Sequence, residues 1–195
     1  MFGTARHGSG WPLSCRTVPL FRKKAKSDEP VLAVDIDGVI SIFGFDESME
    51  PGRGDPSKAP GEFHLIDGML HCIAMSTGPR LRRLAKSYEL VWASGWEDRA
   101  NDHLPGILGL PEFPYLTFDG RARFGTAHWK LEALEEYAGS RPLAWIDDSL
   151  DPSCHEWAEK RSAPTLLVPT ESDIGLLDAH VEALERWVRD GFQPA

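Results

Sequence analysis

Apolar residues in this chain fall into short continuous runs, and between several of these runs they return at every third or fourth position instead. Continuous runs suit strands buried on both faces and the second period suits helices laid against them, so their alternation predicts a parallel sheet with helices on its faces. Val31 to Asp35 reads as the first strand, Glu89 to Ser94 as the second, Pro114 to Phe118 as the third, "PLAWIDD" as the fourth and Pro164 to Pro169 as the fifth. A helix opening at Gly78-Pro79 would bury Leu81, Leu84, Ala85 and Tyr88, and a short one is expected over "WEDRANDHL". Another, from about Thr126 to Ala138, would face Leu131, Leu134 and Ala138 inward and stop at Gly139, and Leu176 to Asp190 would close the chain on Leu177, Val181, Leu184 and Val188. Asp151-Pro152 reads as the start of a turn.

One segment breaks the alternation. "FGFDESMEPGRGDPSKAPGEF" is rich in Pro, Gly and charge and reads as loop, and "FHLIDGMLHCI" after it places Asp67-Gly68 between two short apolar arms, a hairpin signal. The organisation expected is a basic, disordered tail over residues 1–29, then a single domain over 30–192 with a small flap inserted at about 41–77. The fold class expected is α/β, a Rossmann-like three-layer α/β/α sandwich around a central parallel sheet of about five strands.

With 195 residues, 42% of them hydrophobic, the chain can bury a real core in one domain. Its formal charge of −9 is unevenly spread: residues 1–27 carry six basic side chains and no acid, leaving 15 basic and 30 acidic side chains, a formal −15, for the remainder. An acidic body argues against a stable nucleic-acid partner held by a broad basic face. No apolar run is long enough to span a bilayer, so no membrane partner is expected. Three cysteines without CxxC spacing argue against a disulfide framework or zinc site and for a reducing compartment, with the cytoplasm as the default. The tail lacks the apolar stretch of a secretory signal; its freedom from acids is like that of an organellar transit peptide, against which stand the plainer readings of a disordered extension or an overlong start.

Ligands of such sheets bind beyond the carboxyl ends of the strands, and the polar residues gather there. Strand one ends in Asp35, Ile36, Asp37 and Gly38, strand two in Ser94 and Gly95, strand four in Asp147 and Asp148, while Lys130 stands near the start of the helix leading into strand four. Burying even one unpaired carboxylate costs several kcal/mol, so a convergence of four with one ammonium implies a compensating cation or chemistry that uses them. Taken singly, each acid could equally be a helix cap or a solvated turn, and Lys130 a solvated helix residue.

The four segments "DIDGVI", "WASGW", Lys130 and "WIDDS", in this order and spacing, resemble the four motifs of the haloacid dehalogenase superfamily of phosphohydrolases. The resemblance spans about Val31 to Ser149. It implies Asp35 as a nucleophile that forms an aspartyl-phosphate, and Asp37 as the acid that protonates the leaving oxygen and then activates water. It also implies Mg²⁺ as cofactor, bound through Asp35, the backbone carbonyl of Asp37 and the Asp147-Asp148 pair, with Asp148 favoured as the direct ligand and Asp147 behind it. Ser94 and Gly95 would hold phosphate oxygens, Lys130 would neutralise the transferring group, and Gly38 would let the backbone turn beside the phosphate. Trp96 is a candidate to stack on a base or sugar, with rim packing as the plainer role, and Asp98 and Asn101 are candidates to support the site.

The flap is too small for a large lid, so the resemblance implies an open site, suited to phosphates on large molecules such as nucleic-acid ends. "LRRLAKSYELVWASGWEDRAN" followed by "WIDDS" is similar to the small-cap branch related to the Swiss Army knife RNA-repair domains, which implies a polynucleotide-end phosphatase. Arg53, Lys58, Arg80, Arg82 and Arg83 could line its entry, or simply form a solvated surface. Two alternatives stand beside it: a phosphatase of small metabolites or nucleotides, and a binding or regulatory protein that keeps the fold without turnover.

Overall fold

The structure is a computed structural model that describes residues 28–122 and 125–193; the expectations for the basic tail lie outside the described residues. Four parallel strands form the central sheet: β1 (Val31–Val34), β5 (Glu89–Trp92), β6 (Leu143–Asp147) and β7 (Thr165–Pro169), in the order β5-β1-β6-β7. β1 pairs on both sides, Val31 with Glu89 and with Leu143, which carries its end out level with the ends of β5 and β6. Every residue of β1 is fully buried, as expected of a central parallel strand with no solvent face.

Alternate residues of these strands feed two cores. Leu32, Val34, Leu90, Trp92, Ala144 and Ile146 pack with α1 (Thr77–Leu84), α2 (Arg99–Leu108) and α5 (Asp178–Arg189), through Leu81, Leu104 and Leu184 among others. Val31, Ala33, Val91, Ala93, Leu143 and Trp145 pack with α3 (Leu131–Ala138) and α4 (Pro152–Lys160), through Leu134, Ala138 and Cys154. Helices thus cover both faces of a four-stranded parallel sheet, an α/β architecture compatible with a Rossmann-like fold.

The flap is a second, antiparallel sheet in the order β2-β4-β3, made from β2 (Ser41–Ile42), β3 (Glu62–Ile66) and β4 (Met69–Ile73). Its hairpin turns at Asp67 (φ 48°) and Gly68 (φ 80°), the left-handed pair that the Asp-Gly signal calls for. Ala74 N–H donates to the Ile40 carbonyl, tying the flap's base to the body, and Leu176 N–H donates to that of the adjoining Val39.

Four expectations need correction. The third strand, Pro114 to Phe118, pairs with β5 only through a bridge between Trp92 and Tyr115, so the sheet has four strands and not about five; Pro114 brings a carbonyl but no N–H to a ladder. α4 replaces the turn foreseen at Asp151-Pro152, with Asp151 accepting from the N–H groups of Ser153 and Cys154 as its N-cap and Pro152 in the first turn. Ala85 is exposed at the end of α1, whose inward stripe closes at Leu84. Leu177 sits exposed at the start of α5, and Trp187 takes the fully packed place beside a half-buried Val188.

A candidate active site at the ends of the first and sixth strands

Past β1 the chain turns at once. The carbonyl of Ile36 accepts from the N–H groups of Val39, Ile40 and Ser41, and Gly38 N–H donates to the Ser41 carbonyl. This compact turn leaves Asp35 at the sheet edge, sends Ile36 into the core and lifts Asp37 over the edge, where it is half-buried. Gly38 holds φ +73°, and a Cβ there would lie 2.2 Å from the Asp148 carboxyl. The glycine is therefore required twice, for the left-handed backbone and for the approach of the β6 tip. Asp148 is held in that approach by the Ser172 hydroxyl, which donates at 2.7 Å, and by Ser149 Oγ at 3.1 Å.

Lys130 ends a 3₁₀ turn (His128–Lys130) that leads into α3, so the helix foreseen from Thr126 is broken there into two pieces. Its ammonium is 3% exposed and lies 2.7 Å from Asp35 Oδ2 and 2.7 Å from Asp147 Oδ2. The remaining oxygens of both acids are also occupied: Ile36 N–H donates to Asp35 Oδ1 and Ser149 N–H to Asp147 Oδ1. Burial alone would pull the Lys130 ammonium down, but the two flanking carboxylates outweigh it and hold the group charged. The wholly buried Asp147 carboxyl is pushed up by desolvation and by the neighbouring Asp35 anion, against the pull of Lys130.

Asp35, Asp147 and Asp148 each bring one carboxylate oxygen within 4.8 Å of the others. With Asp37, four carboxylates share the edge with one ammonium, an excess of negative charge that a cation would relieve. Asp37 feels that excess: burial, then the Asp35 charge, raise its carboxyl to about 6, with the Trp96 hydrogen bond and Lys130 pulling the other way. Such a group gives and takes protons near neutral pH.

These groups open into a cleft of about 540 Å³ that is also lined by Ser94, Gly95, Trp96 and Ser149, while the flap's β4 and the Phe43 that follows β2 overhang it. Asp35, Asp37, Ser94, Gly95, Trp96, Lys130 and Asp148 thus share one cleft, with Asp147 buried beneath it. Gly38 stands beside the cleft and not in its lining. Trp96 Nε1 donates to Asp37 Oδ2 at 3.0 Å, and its ring packs edge-on against His71, with centroids 4.8 Å apart. The sequence reading missed His71, whose Nδ1 meets Ser41 Oγ at 2.9 Å; period two along β4, counted from Met69, would have put it on Met69's face.

Other candidates lie elsewhere. Asn101 binds Trp92 Nε1 and both backbone groups of Phe113, which makes it a brace for the loop after α2. Asp98 is exposed at the start of α2. Arg80 and Arg83 pair with Asp178 and Glu185 of α5, Arg82 caps the carbonyls of Leu108 and Gly109, Arg53 pairs with Glu47 and Glu50, and Lys58 faces Asp55. None of these basic residues lines the cleft. Among the described residues no helix is long and apolar enough to cross a membrane. Compared with protein-family models and with curated protein sequences, the chain gives no match.

Proposed function

We propose that the chain is a phosphomonoester hydrolase of the haloacid dehalogenase type, dependent on Mg²⁺ and working through an aspartyl-phosphate at Asp35. The observation that carries this reading is the buried Lys130, bonded at once to Asp35 and Asp147 beside a third carboxylate, Asp148. A buried lysine shared by the tips of two strands has no packing advantage over an apolar residue, whereas an anion attacking an anion needs it there.

The donor set fits Mg²⁺. The cation prefers oxygen ligands, and Asp35 and Asp148 each bring one carboxylate oxygen within 4.8 Å of the other, with one of Asp147 equally near. Asp35, Asp148 and the Asp37 carbonyl would hold it, with Asp147 left to anchor Lys130. When bound, it supplies charge neutralisation of the phosphoryl oxygens.

Asp35 is the attacking group: one oxygen bonds to phosphorus as the phosphorus–alcohol oxygen bond breaks, and the departing oxygen takes its proton from Asp37. Asp37, now the base, accepts a proton from a water whose oxygen attacks the same phosphorus, releasing phosphate and restoring the Asp35 carboxylate. Lys130 keeps the Asp35 carboxyl aimed while offsetting the charge of the transferring group. Ser94 and the Gly95 N–H serve the phosphoryl oxygens, and Trp96 positions Asp37. Hydrolysis of p-nitrophenyl phosphate by the wild type and by Asp37→Asn, with Mg²⁺ or with EDTA, tests the reading. Turnover that needs both Mg²⁺ and Asp37 is expected; turnover indifferent to both would overturn this mechanism, and no turnover under any condition would leave a binding protein with this fold.

A further inference from the structure

The cleft has an acidic end and an apolar end, and of the second only the Trp96 indole N–H takes part in the phosphoryl chemistry just described. Phe43, Ile66, Met69 and Leu70 line it from the flap, and Trp96 and Trp129 from the loops around the sheet edge. Among the described residues Phe43, Met69 and Leu70 are 49%, 65% and 51% exposed, a large apolar surface over a polar site that suits an apolar group of a ligand.

Charge points the same way. The cations among the described lining residues are Lys130 and Arg99. Lys130 is committed to Asp35 and Asp147, and Arg99 faces Asp67 at 3.4 Å. The acids of the lining are Asp35, Asp37, Asp67 and Asp148. A substrate with one phosphate can be matched by Lys130 and a divalent cation, but each further phosphate of a polynucleotide would meet four carboxylates with, among the described lining residues, only the exposed Arg99 beside Asp67 to offset them.

We propose, on the strength of the phosphatase reading, that the substrate is a monophosphate ester of an uncharged aromatic alcohol, whose ring lies in the apolar end of the cleft between the flap and the two tryptophans. The flap's Met69 and Leu70 then act as specificity residues. The nucleic-acid end implied by the family likeness becomes the competing outcome.

The test compares kcat/KM for 1-naphthyl phosphate, glycerol 3-phosphate and a 5′-phosphorylated oligonucleotide, all with Mg²⁺. It also measures the affinity of the non-hydrolysable 1-naphthylmethylphosphonate against methylphosphonate by calorimetry. Wild type should favour the naphthyl ester over both others by at least tenfold and bind its phosphonate at least tenfold more tightly. Met69→Ser/Leu70→Ser, at exposed positions where folding tolerates the change, should shrink both ratios severalfold. Equal preference, or preference for the oligonucleotide, overturns the proposal. Should none of the three esters be hydrolysed, the phosphatase reading falls. The phosphonate pair then decides the apolar end separately, because equal affinities would overturn it as well.

Discussion

Replacing Lys130 by Met removes the ammonium and keeps the volume, which isolates the electrostatics of the site from its packing. In the native chain the Nζ is 2.7 Å from each of two carboxylates, one 6% exposed and the other fully buried. Without it, Asp35 and Asp147 face each other with, among the described residues, only backbone N–H donors, from Ile36 and Ser149. Removing one partner of a buried pair costs about 3–5 kcal/mol, against a total stability of roughly 5–15 kcal/mol for a domain. For a chain of this size that loss lowers the melting temperature by about 6–20 °C. Asp147→Asn in the Lys130→Met background removes one of the two stranded charges and should return more than half of the loss. The assay is urea unfolding in EDTA, followed by tryptophan fluorescence, for the single and double variants. A loss below about 1 kcal/mol for Lys130→Met, or a further loss on adding Asp147→Asn, would mean that water already screens these groups and that the buried triad is not what organises the site.

Gly38→Ala sets a Cβ against the Asp148 carboxyl on a left-handed backbone; strain plus the lost Ser172 bond should cost about 3 kcal/mol in urea unfolding. Asp151→Ala removes the N-cap of α4, about 1 kcal/mol at pH 6. The hydroxyls of Ser153 and Thr126 and the backbone N–H groups of Ser153 and Cys154 hold the Asp151 carboxyl well below its ordinary range. Its contribution is therefore complete well above the unfolded value near 3.9 and is lost as the pH falls from there through the much lower native value, so the gap between the unfolding midpoints of wild type and variant should begin to narrow below about pH 4 and keep narrowing as the pH falls further. Trp96→Phe keeps the ring against His71 but removes the donor to Asp37; kcat for p-nitrophenyl phosphate should fall about tenfold.

The parallel core was legible because its signals are local: β1, β5, β6 and β7 are apolar runs of strand length, and the acids that close β1 and β6 stand out against them. The strand-end residues Asp35, Ser94 and Asp148 met in one cleft for the same reason, since adjacent parallel strands in register must end together. Pro114 to Phe118 misled because its apolar content matches a strand while ladder pairing depends on donors a proline lacks. α4 was hidden because its helical face offers only Cys154 and Trp157 inward, although Asp151-Pro152-Ser153 is a sound helix start. Arg80 and Arg83 of α1 could not be placed from sequence at all: their partners, Asp178 and Glu185, lie about a hundred positions away on α5. The Trp96 to Asp37 bond is likewise tertiary, made between two turns that only the sheet brings together.

The claim on which the rest depends is that Asp35 is phosphorylated during turnover. Quenching the protein with borohydride while it hydrolyses p-nitrophenyl phosphate in Mg²⁺ reduces an aspartyl-phosphate to homoserine, which peptide mass spectrometry can place. Homoserine at position 35, absent without substrate, together with a folded but inactive Asp35→Asn, is the result expected. Homoserine at another aspartate, or Asp35→Asn turning over at the wild-type rate, would contradict it.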